Sequence, residues 1–220
     1  LIVPYSYNLG GWAGIMVPIT VIQNGSGKTA LASGGNHGDE YAGQIAIMKL
    51  CRDIQPQDVS GRLILIPSLN YPACQASQRL SPIDGKNMNR VFPGNPAGTP
   101  TEIIAHYMTT VLFPLADIVI DIHAGGRSMD FTSCTSLHLV SNPEQCRQMV
   151  EGTEAWNTDF SLCYTDIAGT GLLPGEAENQ GKVVVTCEMG GTECIPPAIH
   201  ALTRNGLRNV FVHFGILRGE

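Results

Sequence analysis

The chain has 220 residues, 43% of them hydrophobic and 15% charged, with a formal net charge of −6. A chain of this length buries roughly 70% of its unfolded surface, so a single domain spanning residues 1–220 is the natural reading. The acidic balance offers no field for phosphate backbones, and no apolar run approaches the ~20 residues of a membrane span, so neither nucleic acid nor membrane is expected as a partner.

The elements follow in order. Val17 to Ile22 and Thr29 to Ser33 flank the turn cluster Asn24-Gly25-Ser26-Gly27 and read as an antiparallel hairpin. Tyr41 to Arg52 carries helical spacing at Ile45, Met48 and Leu50. Arg62 to Pro67 is a strand, followed by a long irregular stretch, Asn70 to Gly98, of the kind that carries function. Thr99-Pro-Thr-Glu102 is a capping box with Pro at the first helical position, predicting a helix to about Leu112. Asp117 to Ile122 and Ser136 to Val140 are strands. Ser141-Asn-Pro-Glu144 opens a helix to about Trp156, Lys182 to Cys187 is the last clear strand, and helical spacing runs from Pro197 to Leu217. The alternation predicts an α/β fold, a mostly parallel mixed sheet flanked by helices.

Seven cysteines, at 51, 74, 134, 146, 163, 187 and 194, form no Cys-x-x-Cys pair. Being odd in number and mostly within apolar stretches, they read as reduced core thiols and favour a cytoplasmic location. The start at Leu1 fits one domain of a longer protein.

The strand Thr29 to Ser33 runs into Gly34-Gly-Asn-His37-Gly-Asp-Glu40 with a helix behind it, so His37 and Glu40 share one turn. Zinc accepts imidazole nitrogen and carboxylate oxygen, and a catalytic zinc keeps three protein ligands and leaves one position open. His123, at the end of the strand Asp117 to Ile122, supplies the third, because ligand sites of open α/β sheets lie beyond the carboxyl ends of the strands. Ala124, Gly125 and Gly126 beside it are small, and are expected to leave room for a ligand. Glu188 occupies the matching place after another strand, where a carboxylate can act as general base on a water acidified by the metal. Arg79, Asn89 and Arg90, on the long loop, supply donors and positive charge for an oxyanion and a substrate carboxylate.

Taken in order, His37-Gly-Asp-Glu40, Asn89-Arg90 within Asn87-Met-Asn-Arg-Val-Phe-Pro-Gly94, Asp121-Ile-His123, and Glu188 within Cys-Glu-Met-Gly-Gly191 resemble the succinylglutamate desuccinylase/aspartoacylase family of the zinc carboxypeptidase clan. The resemblance spans nearly the whole chain. It implies a zinc carboxypeptidase-like fold, one zinc on His37, Glu40 and His123, Glu188 as catalytic base and Arg79 polarising the scissile carbonyl. Asn89 and Arg90 would hold a substrate carboxylate.

Val3-Pro-Tyr-Ser6, Ser81-Pro-Ile-Asp-Gly85 and the run from Gly34 to Tyr41 look most like the deacetylases of ectoine breakdown. That implies a hydrolase of linear amides, releasing acetate from a small-molecule N-acyl amino acid such as N-acetyl-2,4-diaminobutyrate. Family members carry a further C-terminal β-rich domain that closes over the active site. Nothing after about Leu217 corresponds to it, so weak substrate binding is expected of this chain alone.

Several alternatives stay open. One is a succinylglutamate- or acetylaspartate-type deacylase, or a metallocarboxypeptidase; another is a metal-binding domain without turnover. The identity of the divalent metal and a homo-oligomeric state are open as well. Asp121 reads as a residue orienting a ligand rather than as a ligand. Gly25-Ser-Gly-Lys28-Thr29 is no phosphate loop, because Ile22 stands where glycine is needed and a strand follows. His106, His138, His200 and His213 have no acidic or Cys partner at ligand spacing and read as structural or exposed; Met48, Met108 and Met149 read as core filler on helices. Cys187 and Glu188 are adjacent on a strand and point to opposite faces.

Overall fold

The structure is a computed structural model and describes residues 1–8, 10–165 and 171–219. In chain order the strands are β1 (Ile2–Pro4), β2 (Gly14–Met16), β3 (Thr20–Asn24), β4 (Thr29–Gly34), β5 (Gly61–Ile66), β6 (Ile118–His123), β7 (Asp130–His138), β8 (Ser161–Tyr164) and β9 (Val183–Gly191). The α-helices are α1 (Tyr41–Asp53), α2 (Tyr71–Ala76), α3 (Pro100–Tyr107), α4 (Phe113–Leu115), α5 (Pro143–Trp156), α6 (Leu173–Asn179) and α7 (Pro197–His213). Beside the small β1-β2 ribbon stands one seven-stranded sheet in the order β3-β5-β4-β6-β9-β7-β8. Its centre, β5-β4-β6-β9, is parallel throughout, whereas β3 joins β5 and β7 joins β9 in antiparallel fashion. The mixed, mostly parallel sheet is the one expected.

β4 and β6 are buried along their whole length. That is what a strand covered by helices on both faces requires, and it explains runs such as Ile118-Val-Ile that do not alternate. Leu31, Leu63, Leu65 and Ile66 are fully buried, each stabilising the fold by about 1.5–3 kcal/mol. Asp117 ties the strand starts together by accepting from the Thr29 amide at 2.7 Å.

Face assignment follows from two close approaches. Gly43 of α1 packs on Ile122, and Gly152 of α5 packs on Val185. Residues one step along each strand, Asp121 and His123 on β6 and Thr186 and Glu188 on β9, therefore face the other side, and the register pairs Asp121 with Thr186 and His123 with Glu188. A slip of both strands by one residue would turn all four onto the face packed by α1 and α5.

The hairpin between β3 and β4 does not form, because β5 inserts between them. β4 is apolar and buried on both faces and needs a strand on each edge, while β3 is largely exposed and suits the sheet margin. The glycine-rich turn passes over β5 instead: a side chain on Gly27 would meet the Ser60 carbonyl at 2.4 Å.

The capping box at Thr99 and Glu102 is present, but α3 ends at Tyr107, and a π-helical turn, Met108–Leu112, carries the chain into α4. The predicted strand from Ser136 begins earlier, at Asp130, and the last helix stops at His213, two residues before Gly215 with φ of 73°. Of the seven cysteines, all free, two are buried, Cys134 and Cys187, so the core-thiol reading holds for those alone. Met108 and Met149 are core residues, whereas Met48 lies on the exposed side of α1. His138 has the acidic partner that sequence spacing did not reveal: Glu178, on α6, approaches its Nδ1 at 2.7 Å.

Candidate metal centre

His37 and Glu40 sit on the turn joining β4 to α1. That turn is pressed against α2 so closely that a side chain on Gly38 would lie 2.0 Å from the Ala73 carbonyl carbon, and Gly35 adopts a φ of 70°, a conformation glycine takes without strain. The backbone thereby aims both side chains inward. His123, ending β6, meets them from the neighbouring strand. One nitrogen from each histidine and one carboxylate oxygen lie within 4.8 Å of one another, and all three residues are buried.

The orientation of the rings is specific. His37 Nδ1 lies 2.7 Å from Glu40 Oε1 and His123 Nδ1 lies 2.9 Å from Glu40 Oε2. The opposite nitrogens are engaged elsewhere, His37 Nε2 with Asn87 Oδ1 at 3.0 Å and His123 Nε2 with Asp121 Oδ2 at 2.8 Å. Both outer partners are oxygen acceptors and take the Nε2 hydrogen of each ring, so Nδ1, beside Glu40, is the nitrogen that each ring would offer a cation once it gives up any proton there. Two imidazole nitrogens and a carboxylate aimed at one buried point form the donor set of a divalent cation of zinc's type, so the residues fit such a metal.

Charge inside the cluster follows the same logic. Burial disfavours the Glu40 carboxylate, yet His123 and His37 outweigh it and hold the group well below the usual carboxylate range. Burial likewise opposes charge on His123, and Asp121 and Glu40 overcome it, raising the imidazole well above its ordinary value. The site favours positive charge at its centre.

Glu188 stands in register with His123, on the same face. Burial pushes its carboxyl up to about 7; His123 counteracts this, while Glu40 and Asp121 add to it. Its Oε2 is buried, with no hydrogen-bond partner among the described residues. A carboxyl poised near neutrality can both take and return a proton.

The loop residues arrive differently. Arg79 reaches the cluster itself, with Nη1 3.0 Å from Glu40 Oε1 and 3.2 Å from His37 Nδ1, while its side chain stays 44% exposed. Asn89 is buried: its Nδ2 lies 3.5 Å from His123 Nε2, and its Oδ1 accepts from the Leu173 amide at 2.8 Å, holding the start of α6. Arg90 is not brought to the cluster; its guanidinium folds back onto the Asn89 carbonyl at 2.6 Å.

The small residues after His123 serve backbone approach rather than ligand space. A side chain on Gly125 would meet the Met129 carbonyl at 2.1 Å, and one on Gly126 would meet the Asp39 carboxylate at 2.6 Å. Sequence reasoning missed Ser33, Asn36, Asp39 and Asn87. Ser33, Asn36 and Asn87 bond to the cluster or to Asp121, and Asp39 accepts from the Arg127 amide. Their place within or beside the two ligand motifs was the available signal.

Comparison with known proteins shows the family. The model of the succinylglutamate desuccinylase/aspartoacylase catalytic domain matches residues 26–214. An N-alpha-acetyl-L-2,4-diaminobutyric acid deacetylase of Halomonas elongata is 42% identical over 217 residues, covering 99% of this chain. The chain spans 64% of that relative's length. A succinylglutamate desuccinylase from a Silicibacter species superposes with a TM-score of 0.97 at 44% identity, over 100% of this chain and 67% of the other. The product-bound ectoine utilization protein of Ruegeria pomeroyi does so with a TM-score of 0.97 at 42% identity, over the same shares. With its matched domain, its mixed sheet and its His-Glu-His cluster at the strand ends, the chain belongs to the succinylglutamate desuccinylase/aspartoacylase family.

Proposed function

We propose that this chain is the catalytic part of a zinc-dependent amidohydrolase that removes an acyl group, acetyl, from a small N-acyl amino acid such as N-acetyl-2,4-diaminobutyrate. The observation that carries the reading is the convergence of His37, Glu40 and His123 with Glu188 in register beside His123. The Halomonas relative supports the choice of acyl group and amino acid.

In this reading His37 and His123, through Nδ1, and Glu40, through its carboxylate, hold the metal. Bound there, zinc lowers the pKa of a water and polarises a carbonyl oxygen. Glu188 takes the proton from the attacking water and passes it to the leaving amine nitrogen, as a carboxyl near neutrality allows. Arg79 donates to the oxygen on which negative charge develops, which requires its guanidinium to leave Glu40 once a cation neutralises that carboxylate. Asn89 and Arg90 receive the substrate carboxylate. Arg90 reaches it by releasing the Asn89 carbonyl, a rotation its exposed side chain permits. The reduced cysteines fit a cytoplasmic enzyme.

The test is release of free amine by zinc-loaded protein from N-acetyl-diaminobutyrate, N-acetylaspartate, N-succinylglutamate and a short peptide, with and without chelator. Chelator-sensitive hydrolysis of the first alone is the expected result. Cleavage of the peptide would make the chain a carboxypeptidase, and silence across all four with zinc bound would favour an incomplete fragment or a binding domain.

A further inference from the structure

The metal reading leaves a buried carboxylate, Asp121, whose three partners come from two strands and a turn. Ser33, in register with it on β4, donates from Oγ to Asp121 Oδ1 at 3.2 Å and lies 3.4 Å from the Ile120 carbonyl. Asn36 donates from Nδ2 to Asp121 Oδ2 at 3.1 Å. His123 Nε2 shares that same Oδ2, at 2.8 Å. Ser33, Asn36 and Asp121 are each 0% exposed, and no ion pair to Lys or Arg reaches Asp121 among the described residues.

A carboxylate in such a place is costly unless every lone pair has a donor. Here the Ser33 and Asn36 donors are neutral and fixed. Asn36 Nδ2 carries hydrogens and no lone pair, so it can only donate, and its presence obliges Oδ2 to accept. The remaining donor to Oδ2 is then the imidazole Nε2–H, which leaves Nδ1 of His123, beside Glu40, as the nitrogen available to a cation. Asn36 directly precedes the ligand His37, so one backbone turn sets the first histidine by its fold and the second through its side chain.

We infer that Asn36, assisted by Ser33, is a positioning residue for metal binding: it clamps Asp121 so that His123 is held in the Nε2-protonated tautomer with Nδ1 toward the metal. The inference rests on the reading of His37, Glu40 and His123 as ligands. Outer partners of ligating histidines are typically worth ~10- to 100-fold in metal affinity, so Asn36→Ala loses that much zinc affinity and Ser33→Ala loses less.

Zinc affinity is measured by competition with a chromogenic chelator, and the visible bands of the cobalt-substituted protein report ligand geometry. The expected result is weakened zinc binding with shifted cobalt bands in both variants, while Ser33→Ala keeps a melting temperature close to that of the parent. If Asn36→Ala does not fold, Ser33→Ala decides alone. Unchanged affinity and bands in folded variants would overturn the positioning role while leaving the metal site standing. Failure of the parent protein to bind zinc or cobalt overturns both.

Discussion

The strand ends and the long loop between β5 and α3 both deliver residues to the same cluster, and they do so by different means. His123 and Glu188 are placed by the ladder of β6 and β9, and His37 and Glu40 by a turn locked between β4 and α2. Arg79, Asn87 and Asn89 are placed by individual side-chain bonds from a segment with one short helix and a 3-10 turn. Ladder placement makes a side chain's direction a consequence of counting residues; loop placement makes it a consequence of which acceptor is nearest. The first kind is fixed by the sheet, while Arg79 and Arg90 are held by single side-chain bonds to Glu40 and to the Asn89 carbonyl, which the proposed roles would require them to exchange.

Four experiments sharpen that contrast. Loss of a ladder-placed ligand is the largest: His123→Ala, or chelation of the parent protein, abolishes hydrolysis and bound metal together, read by metal analysis and amine release. Glu188→Gln lowers kcat by ~10²- to 10⁴-fold with metal content unchanged, the range for a general base. The base must be ionised, so kcat/KM of the parent rises with pH along an acidic limb centred at or below about 7, lower because a bound cation favours the carboxylate; the variant lacks that limb. Near-normal turnover by Glu188→Gln would show that the ladder places a bystander.

Arg79→Ala, on the loop, costs ~10²- to 10³-fold in kcat, as for loss of one oxyanion donor. Rescue by added guanidinium would mark its placement as adaptable. The smallest effect is on stability. Asp84 pins the loop to the start of α3, accepting from the Thr101 amide at 3.0 Å and hydroxyl at 2.9 Å and from the Lys86 amide at 3.2 Å. Burial disfavours its charge, but these bonds and Thr99 outweigh it and hold its carboxyl below the usual range. Its contribution is therefore complete above an unfolded value near 3.8 and fades as pH falls through the lower folded value. Asp84→Asn destabilises by about 1–2 kcal/mol at pH 7, discounted for partial exposure, and by progressively less as pH falls below the unfolded value, read by urea unfolding across that range.

The same contrast explains what could be read from the chain. Strand β6 and helices α1 and α5 were legible because Ile118-Val-Ile is an unbroken apolar run and the Asn142 cap and apolar spacing are local signals. The four-residue edge strand β8, exposed throughout, and the short helix α6 containing Gly175 carry no periodic signal, and both went unseen. The hairpin was misread because a turn sequence states that the chain reverses, not which strand becomes its neighbour; burial of both faces of β4 settled that. In the site, the motif order named the three residues that the structure clusters, His37, Glu40 and His123, and Glu188 in register beside them. It did not reveal that Asn87 engages the outer nitrogen of His37, or that Ser33 and Asn36 engage Asp121 behind His123.

What the sequence determined by itself is the set of strands that end in chemistry and the residue types at their tips, because those depend on local spacing. Tertiary structure alone decided that Nδ1 of both histidines faces Glu40, that Asp121 is clamped by Ser33 and Asn36, and that Arg90 points away from the cluster. Those outcomes depend on hydrogen bonds closed between residues up to 88 positions apart, a pairing set by sheet register, which no local pattern records.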